Sequence, residues 1–394
     1  MTTTNASVAR RLTRHLREGT TDMGEELRVP VSHFVSPEHA AREREVLMRK
    51  PLIIGRGSEI PHKGDFITRE VLGIPLIVVR KASGGVASYV NICKHRGGRV
   101  ENAESGKKRF FTCAYHGWSY ACESGELRGV PYDEFYTQVN RETHSLNVVR
   151  TREWLGFLFV NFAGDTEQPL GDWMGSDVTA QLEDLGVAES EIFLHKSFTL
   201  DINWKLVLDG AIDVLHPKFL HPDGVGKLIE TNTSVWRDYG PHGQSFSPRT
   251  KLGDLARAGE EPEAAWKLIG SNLFLYPNAS VIAAPDHVEF WTVWPDPVDP
   301  GRSTTEIRFL VRPEILDERM KARLHKSWQI LEQAASEEDW PMEETIQKNS
   351  EAWPHGTYLY GRNEQSCQHL HRRLALDMAE VQEMSFPPAH AGRE

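Results

Sequence analysis

The chain has 394 residues, enough for two domains that each bury a core of their own. It is 39% hydrophobic and 26% charged with no run near eighteen apolar residues, the composition of a soluble globular protein without a membrane-spanning helix. The net charge of -11 argues against a general nucleic-acid binder, which needs a basic face for phosphates, and four cysteines are too few for a disulfide framework. A reducing cytoplasm is therefore the expected compartment.

The N-terminus, MTTTNASVARRLTRHLREG, lacks the apolar core of a secretory signal. It is Arg-rich and free of acids until Glu18, a weak likeness to an organellar transit peptide. The plainer reading is a helical segment, residues 1–45, that packs on the body of the protein. From about Pro51 to Phe162 the text reads as strands and tight turns, an antiparallel β module placed at residues 46–165. GIPLIVVR and VASYVNIC flank the turn ASGG, RFFTCAYHGWSY precedes the turn ESGE, and WLGFLFVNF is an apolar run of strand length.

Inside this module lies NICKHRGGRVENAESGKKRFFTCAYHGWSY: Cys-x-His, a gap of seventeen residues, then Cys-x-x-His. Each half is a short knuckle able to turn two ligands toward one site, with glycines where the backbone bends sharply. An isolated Cys/His quartet often holds structural zinc. Here, however, each knuckle contributes one thiolate and one imidazole in the same order, whereas a usual finger pairs Cys with Cys and His with His. Mixed pairing suits a two-iron cluster with both cysteines on one iron and both histidines on the other, an electron relay.

After Pro169 the pattern lengthens, and residues 166–394 are expected to form an α+β domain. The stretch DINWKLVLDGAIDVLHPKFLHPDG mixes apolar and polar residues at helical spacing. His216 and His221 stand five apart with Pro217 between them; proline breaks or bends the helix so that the two rings can converge. Asp213 precedes His216 by three residues, on the same helical face. Two histidines and a carboxylate on one face of Fe(II) leave open positions for O2 and substrate. Strands return between Asn272 and Val311, where HVEFWTVW and TEIRFLV flank DPVDPGRS. A long helix follows from about Pro313, with Leu316, Met320, Leu324, Trp328, Leu331 and Ala335 in one apolar stripe. Extended past Ala335, the stripe brings Glu338 and Asp339 about equally close to the buried side and turns Glu337 away. Periodicity leaves the choice between Glu338 and Asp339 open.

The first motif resembles the Rieske [2Fe-2S] signature, and the two motifs together resemble the Rieske non-haem iron oxygenases, the ring-hydroxylating oxygenase α subunits. The likeness rests on the two knuckles, on Gly97, Gly98, Gly117, Trp118 and Tyr120, and on Asn-Trp-Lys, an acid, His, four residues, His. It implies Cys93 and Cys113 on one iron of the cluster, His95 and His116 on the other, and His216, His221 and Asp339 on a mononuclear Fe(II). By the same resemblance Asp213 is no ligand but bridges a cluster histidine of a neighbouring subunit, His116, to His216. The implied fold is a small antiparallel all-β domain followed by a larger antiparallel sheet covered by helices, of the helix-grip, Bet v 1-like kind.

The implied activity is that of a terminal oxygenase acting on an organic, by default aromatic, substrate with O2. Electrons come from NAD(P)H through a flavin reductase, with or without a separate ferredoxin. No Gly-x-Gly-x-x-Gly fingerprint occurs, so the reductase is expected on another polypeptide. The implied assembly is a homotrimer, with a β subunit as an optional addition. The reaction is cis-dihydroxylation or monooxygenation, including oxidative O- or N-demethylation; outside this class the alternatives are a Rieske electron carrier fused to a binding domain, or a zinc-stapled structural protein. Val207, Leu208, Ile212, Leu215, Phe274, Ile282 and Phe290 are candidate pocket walls. The chain departs from common family members at Leu215, where many carry tyrosine, and at Asp209, where many carry asparagine.

Overall fold

A computed structural model describes residues 3–163, 169–260 and 265–385. The chain divides into two compact units, Met48–Leu170 and Met1–Leu47 with Gly171–Glu394. Among the described residues no helix is long and apolar enough to cross a membrane.

The first unit is all antiparallel β. Seven strands follow the order Leu52–Arg56, Phe157–Asn161, Val148–Trp154, Val86–Val90, Ile74–Arg80, Asp65–Val71 and Ser105–Lys107. A separate three-stranded sheet, Phe110–Thr112, Ser119–Ala121 and Leu127–Gly129, carries the second knuckle between its first two strands. Phe66, Tyr89, Phe111, Trp118 and Tyr120 form a core that also encloses Cys93 and Cys113. The run WLGFLFVNF is not one strand. It folds back at Leu155 (φ 46°) and Gly156 (φ 74°), two positive φ values that match a two-residue hairpin, so Trp154 pairs with Phe157 across the turn.

The second unit is built on seven antiparallel strands. Their order is Glu191–Leu200, Ser303–Val311, Val288–Pro295, Ala279–Ala283, Ile269–Leu275, His242–Pro248 and Val235–Tyr239. Three of these, the first and the last two, lie outside the stretches read as strands from sequence. The amide of Asn272 donates to the carbonyl of Ala211 at 2.6 Å, so the sheet face carrying Asn272 meets the helix Trp204–Ile212. The N-terminal helix Thr3–Glu18 packs on this unit, with Val8 and Leu12 against Val235 and Phe246, and Leu16 against Leu252 and Ala256.

The residues Asn203, Trp204 and Lys205 fix the start of the helix Trp204–Ile212. Asn203 is its N-cap, accepting from Lys205 N at 3.0 Å while its amide donates to the carbonyls of Phe34 and Pro300. The indole of Trp204 and the ammonium of Lys205 both reach the carboxylate of Glu43, at 3.1 and 2.9 Å. Glu43 belongs to the helix Pro37–Met48, and both partners of the ion pair are almost fully buried. Gln347 closes the clamp by accepting from the backbone of Asn203.

Candidate functional site

The two knuckles are copies of one loop. Cys93 N donates to Gly98 O and Gly97 N to Cys93 O; in the second knuckle Cys113 N donates to Trp118 O and Gly117 N to Cys113 O. Gly97 (φ 78°) and Gly117 (φ 73°) supply the left-handed residue each loop requires. The loops thereby bring two buried free thiols and two imidazoles to one place, with the rings of His95 and His116 at 4.4 Å and the indole of Trp118 stacked on His95.

Nδ1 of His95 is buried and has no hydrogen-bond partner, as a metal-binding nitrogen would be. The hydroxyl of Tyr120 accepts from Lys94 N and lies 3.3 Å from Cys93 Sγ, so its proton is free for a thiolate. Burial raises the Cys93 thiol above its ordinary range, a cost that a bound metal removes. Among the described residues only His216, His221 and Asp339 hold three donor atoms within 4.8 Å of one another, the spacing for a single ion. The Cys93, His95, Cys113 and His116 donors spread wider, which fits a two-iron cluster better than one zinc.

His216 and His221 do not share a bent helix. The helix Trp204–Ile212 ends, Asp213 adopts an extended conformation (ψ 139°), and Pro217 opens a new short helix, Pro217–Leu220. Asp213 therefore does not meet His216 along a helical face. Its two carboxylate oxygens accept from the backbone of Leu215 at 2.8 Å and His216 at 3.0 Å, and the same side chain reaches His216 Nδ1 at 2.9 Å.

The helix Glu318–Gln333 widens into a π-helical turn over Ala334–Asp339 before continuing as Trp340–Ala352. In this turn Glu337 is exposed while Glu338 and Asp339 face the histidines, but at different atoms. Glu338 takes His221 Nδ1, and Asp339 Oδ1 lies 2.9 Å from His221 Nε2 and 3.4 Å from His216 Nε2. Both Nδ1 atoms thus hydrogen-bond to carboxylates, which turns both Nε2 lone pairs toward Asp339. The donor set of two imidazoles and one carboxylate fits Fe(II). Burial lowers the pKa of His216, but its hydrogen bonds to the carboxylates of Asp213 and Asp339 outweigh it and raise it to about 9 without metal.

His216, Asp339 and Asp213 line a cleft of about 550 Å³. Asp209, Glu343 and Glu364 add three more carboxyl groups to its walls, with no lysine or arginine among them. Glu343 is pushed well above the usual carboxyl range, first by burial and then by Asp339. Asp209 accepts from the Tyr360 hydroxyl at 2.6 Å and from His371 Nε2 at 2.9 Å. None of the apolar pocket walls expected from sequence lines this cleft. Leu206, Asp209, Gly210 and Asp213 face it, whereas Val207, Leu208 and Ile212, on the opposite side of the helix, are core, as are Phe274 and Phe290. Leu215 and Ile282 are half-buried. The sequence reading also missed Glu338 as a partner of His221 and Tyr360 and His371 as partners of Asp209.

A profile of the Rieske [2Fe-2S] domain matches residues 50–140, and one of the ring hydroxylating α subunit (catalytic domain) matches residues 187–380. The α subunit of 2-aminobenzenesulfonate 2,3-dioxygenase from Alcaligenes sp is 34% identical over 166 residues, 42% of each chain. Its alignment, like that with the anthranilate 1,2-dioxygenase large subunit of Burkholderia cepacia (58% of the relative), spans less than two thirds of the relative's length. The oxygenase subunit of glycine betaine monooxygenase from Pseudomonas aeruginosa (strain UCBPP-PA14) is 24% identical over 80% of each chain. In fold, the chain is similar to the quaternary ammonium Rieske monooxygenase CntA with L-carnitine (TM-score 0.74, 16% identity, 90% of this chain and 96% of that one). It is also similar to naphthalene 1,2-dioxygenase from Rhodococcus sp. (TM-score 0.72, 19% identity, 96% of this chain and 99% of that one). With a Rieske [2Fe-2S] domain and the catalytic domain of a ring hydroxylating α subunit in one polypeptide, the chain belongs to the Rieske non-haem iron oxygenase family.

Proposed function

We propose that this chain hydroxylates a small organic substrate with O2, using electrons from NAD(P)H relayed by a flavin reductase, with or without a ferredoxin. Cys93, His95, Cys113 and His116 hold the cluster, and His216, His221 and Asp339 hold the iron. Bound there, the two centres supply one-electron transfer and O2 reduction beside the substrate. The protein residues orient the donors: Asp213 and Glu338 fix the two imidazoles. Either outcome, monooxygenation or cis-dihydroxylation, consumes one O2, two electrons and two protons. Relatives named for both outcomes, on anthranilate, on naphthalene and on glycine betaine, support a substrate class wider than aromatic rings.

Asp213 is the bridge by which electrons enter, and the copies assemble as a homotrimer in which cluster and iron of adjacent subunits meet. The observation that carries this reading is the 2.9 Å contact of Asp213 with His216 Nδ1 at the wall of an open, acid-lined cleft. The rim of the cleft exposes Met342, Trp353 and Leu359 by about half. The cluster tip presents what would fill it: Tyr115, 65% exposed, beside His116, with Arg96 donating to His116 Nε2 and lying over the Tyr115 ring at 4.8 Å. A basic, aromatic tip matches an acidic cleft with an apolar rim.

The test is Asp213→Asn in the reductase-free protein. Both metal centres should remain, while oxidation of the reduced cluster by O2 in a single turnover slows by about tenfold or more, the effect of losing a partner that orients a ligand. An unchanged rate removes Asp213 from the electron path.

A further inference from the structure

We propose that a cavity on the far face of the catalytic sheet is a second ligand site, built for a carboxylate or sulfonate carried on an aromatic ring. The cavity has a volume of about 620 Å³, within the range of small-molecule sites. Phe246, Ser271 and Ala283 lie directly opposite one another on three neighbouring strands and line it. Asn272, one residue on, points to the helix Trp204–Ile212, so Ser271 and the cavity face away from that helix. No residue of the cavity lines the iron-site cleft.

The charges of its wall call for an anion. Arg249 is half-buried, and among the described residues its guanidinium has no carboxylate within ion-pair reach and no hydrogen bond; burial pulls its pKa down, and the charge of Asp286 opposes this in part. Lys267 rests over the ring of Trp266 at 5.6 Å, and among the described residues it has no carboxylate partner either. Arg249 and Lys267 thus place two cations on the wall of one cavity, neither with a carboxylate partner among the described residues. Arg257, by contrast, has both Glu230 and Asp254 in contact. Asp184 is the one acid on the lining, and it already accepts from the amide of Asn5.

A partly desolvated guanidinium without a counter-charge costs free energy that a planar anion restores through two parallel hydrogen bonds. Phe246 and Trp266 supply the apolar and aromatic surface for the ring.

The test titrates 2-naphthoate, and its neutral analogue 2-naphthalenemethanol, into the iron-loaded protein by calorimetry. The naphthoate should bind saturably, and both Arg249→Gln and the neutral analogue should weaken binding by about tenfold or more, the worth of a charge-assisted hydrogen bond. Arg249→Lys should retain part of the affinity, and Lys267→Gln gives an independent check. His216→Ala, which removes a ligand of the iron, should bind the naphthoate as the parent does. No binding up to roughly 1 mM, equal affinity in Arg249→Gln, equal affinity for the alcohol, or loss of binding in His216→Ala would each overturn the proposal.

Discussion

Replacing Lys205 by Met tests what holds the iron-site helix in place. Lys205 and Glu43 have side chains only 1% and 3% exposed and meet at 2.8 Å, while the same carboxylate takes the indole of Trp204 and Nε2 of His39. Removing one charge of a buried pair leaves the other uncompensated, a loss of about 3–5 kcal/mol. At roughly 2 °C per kcal/mol for a unit of this size, the melting temperature of the catalytic unit should fall by about 6–10 °C. Glu43→Gln should cost a similar amount. The double variant should recover much of the loss, because it removes both charges and still leaves an acceptor for Trp204. Burial opposes ionisation of Glu43, but Lys205 and His39 outweigh it and hold its pKa at about 2. Its folded pKa lies below the unfolded one, so the difference between parent and Glu43→Gln should persist above about pH 4.5 and vanish as pH falls through about 2. Calorimetry of the four proteins decides: single losses under about 1 kcal/mol, as for an exposed pair, or a double variant equal to the sum of the singles, would refute the clamp.

Glu338→Gln removes the anion behind His221 without touching a proposed ligand, and iron affinity measured with a competing chelator should drop by about ten- to a hundredfold; an unchanged value makes Glu338 a bystander. Burial lowers the pKa of His287, yet its hydrogen bond to Asp286 and the charge of Glu289, 3.8 Å from Nε2, outweigh it and raise it to about 9, above the unfolded value of 6.5. Its stabilisation is therefore complete below pH 6.5 and lost as pH rises through 9, about 3 kcal/mol in all. Denaturant midpoints across that range should decline in the parent and not in His287→Gln; parallel profiles would exclude the ion pair as the cause. Cys93→Ser should bleach the visible absorption of the cluster, and an intact spectrum would displace Cys93 as a ligand.

What the sequence made legible was local. The knuckles could be read because each carries its thiolate, imidazole and turning glycine within six residues, and the backbone bonds of the two loops repeat one pattern. His216 and His221 were legible as a pair, but not the means of their convergence. Helical spacing puts Asp213 on the same face as His216, whereas the contact arises in a non-helical turn after the helix has ended. Periodicity could not separate Glu338 from Asp339, because a π-helical turn presents both to the histidines and only the atoms they meet distinguish them. The pocket walls failed for a related reason: Val207, Leu208 and Ile212 of the iron-site helix face the core, and the side that faces the cleft carries Leu206, Asp209 and Gly210. Partners distant in sequence, such as Glu43 for Lys205 and His371 for Asp209, carry no local signal.

The most direct test of the two-centre account is a metal and sulfide count on the purified protein and on Asp339→Ala. The account predicts about three irons and two acid-labile sulfides per chain in the parent. It predicts about two irons in the variant, with the electron paramagnetic resonance signal of the reduced cluster unchanged. Zinc in place of iron, or a variant that keeps all its iron, would contradict it.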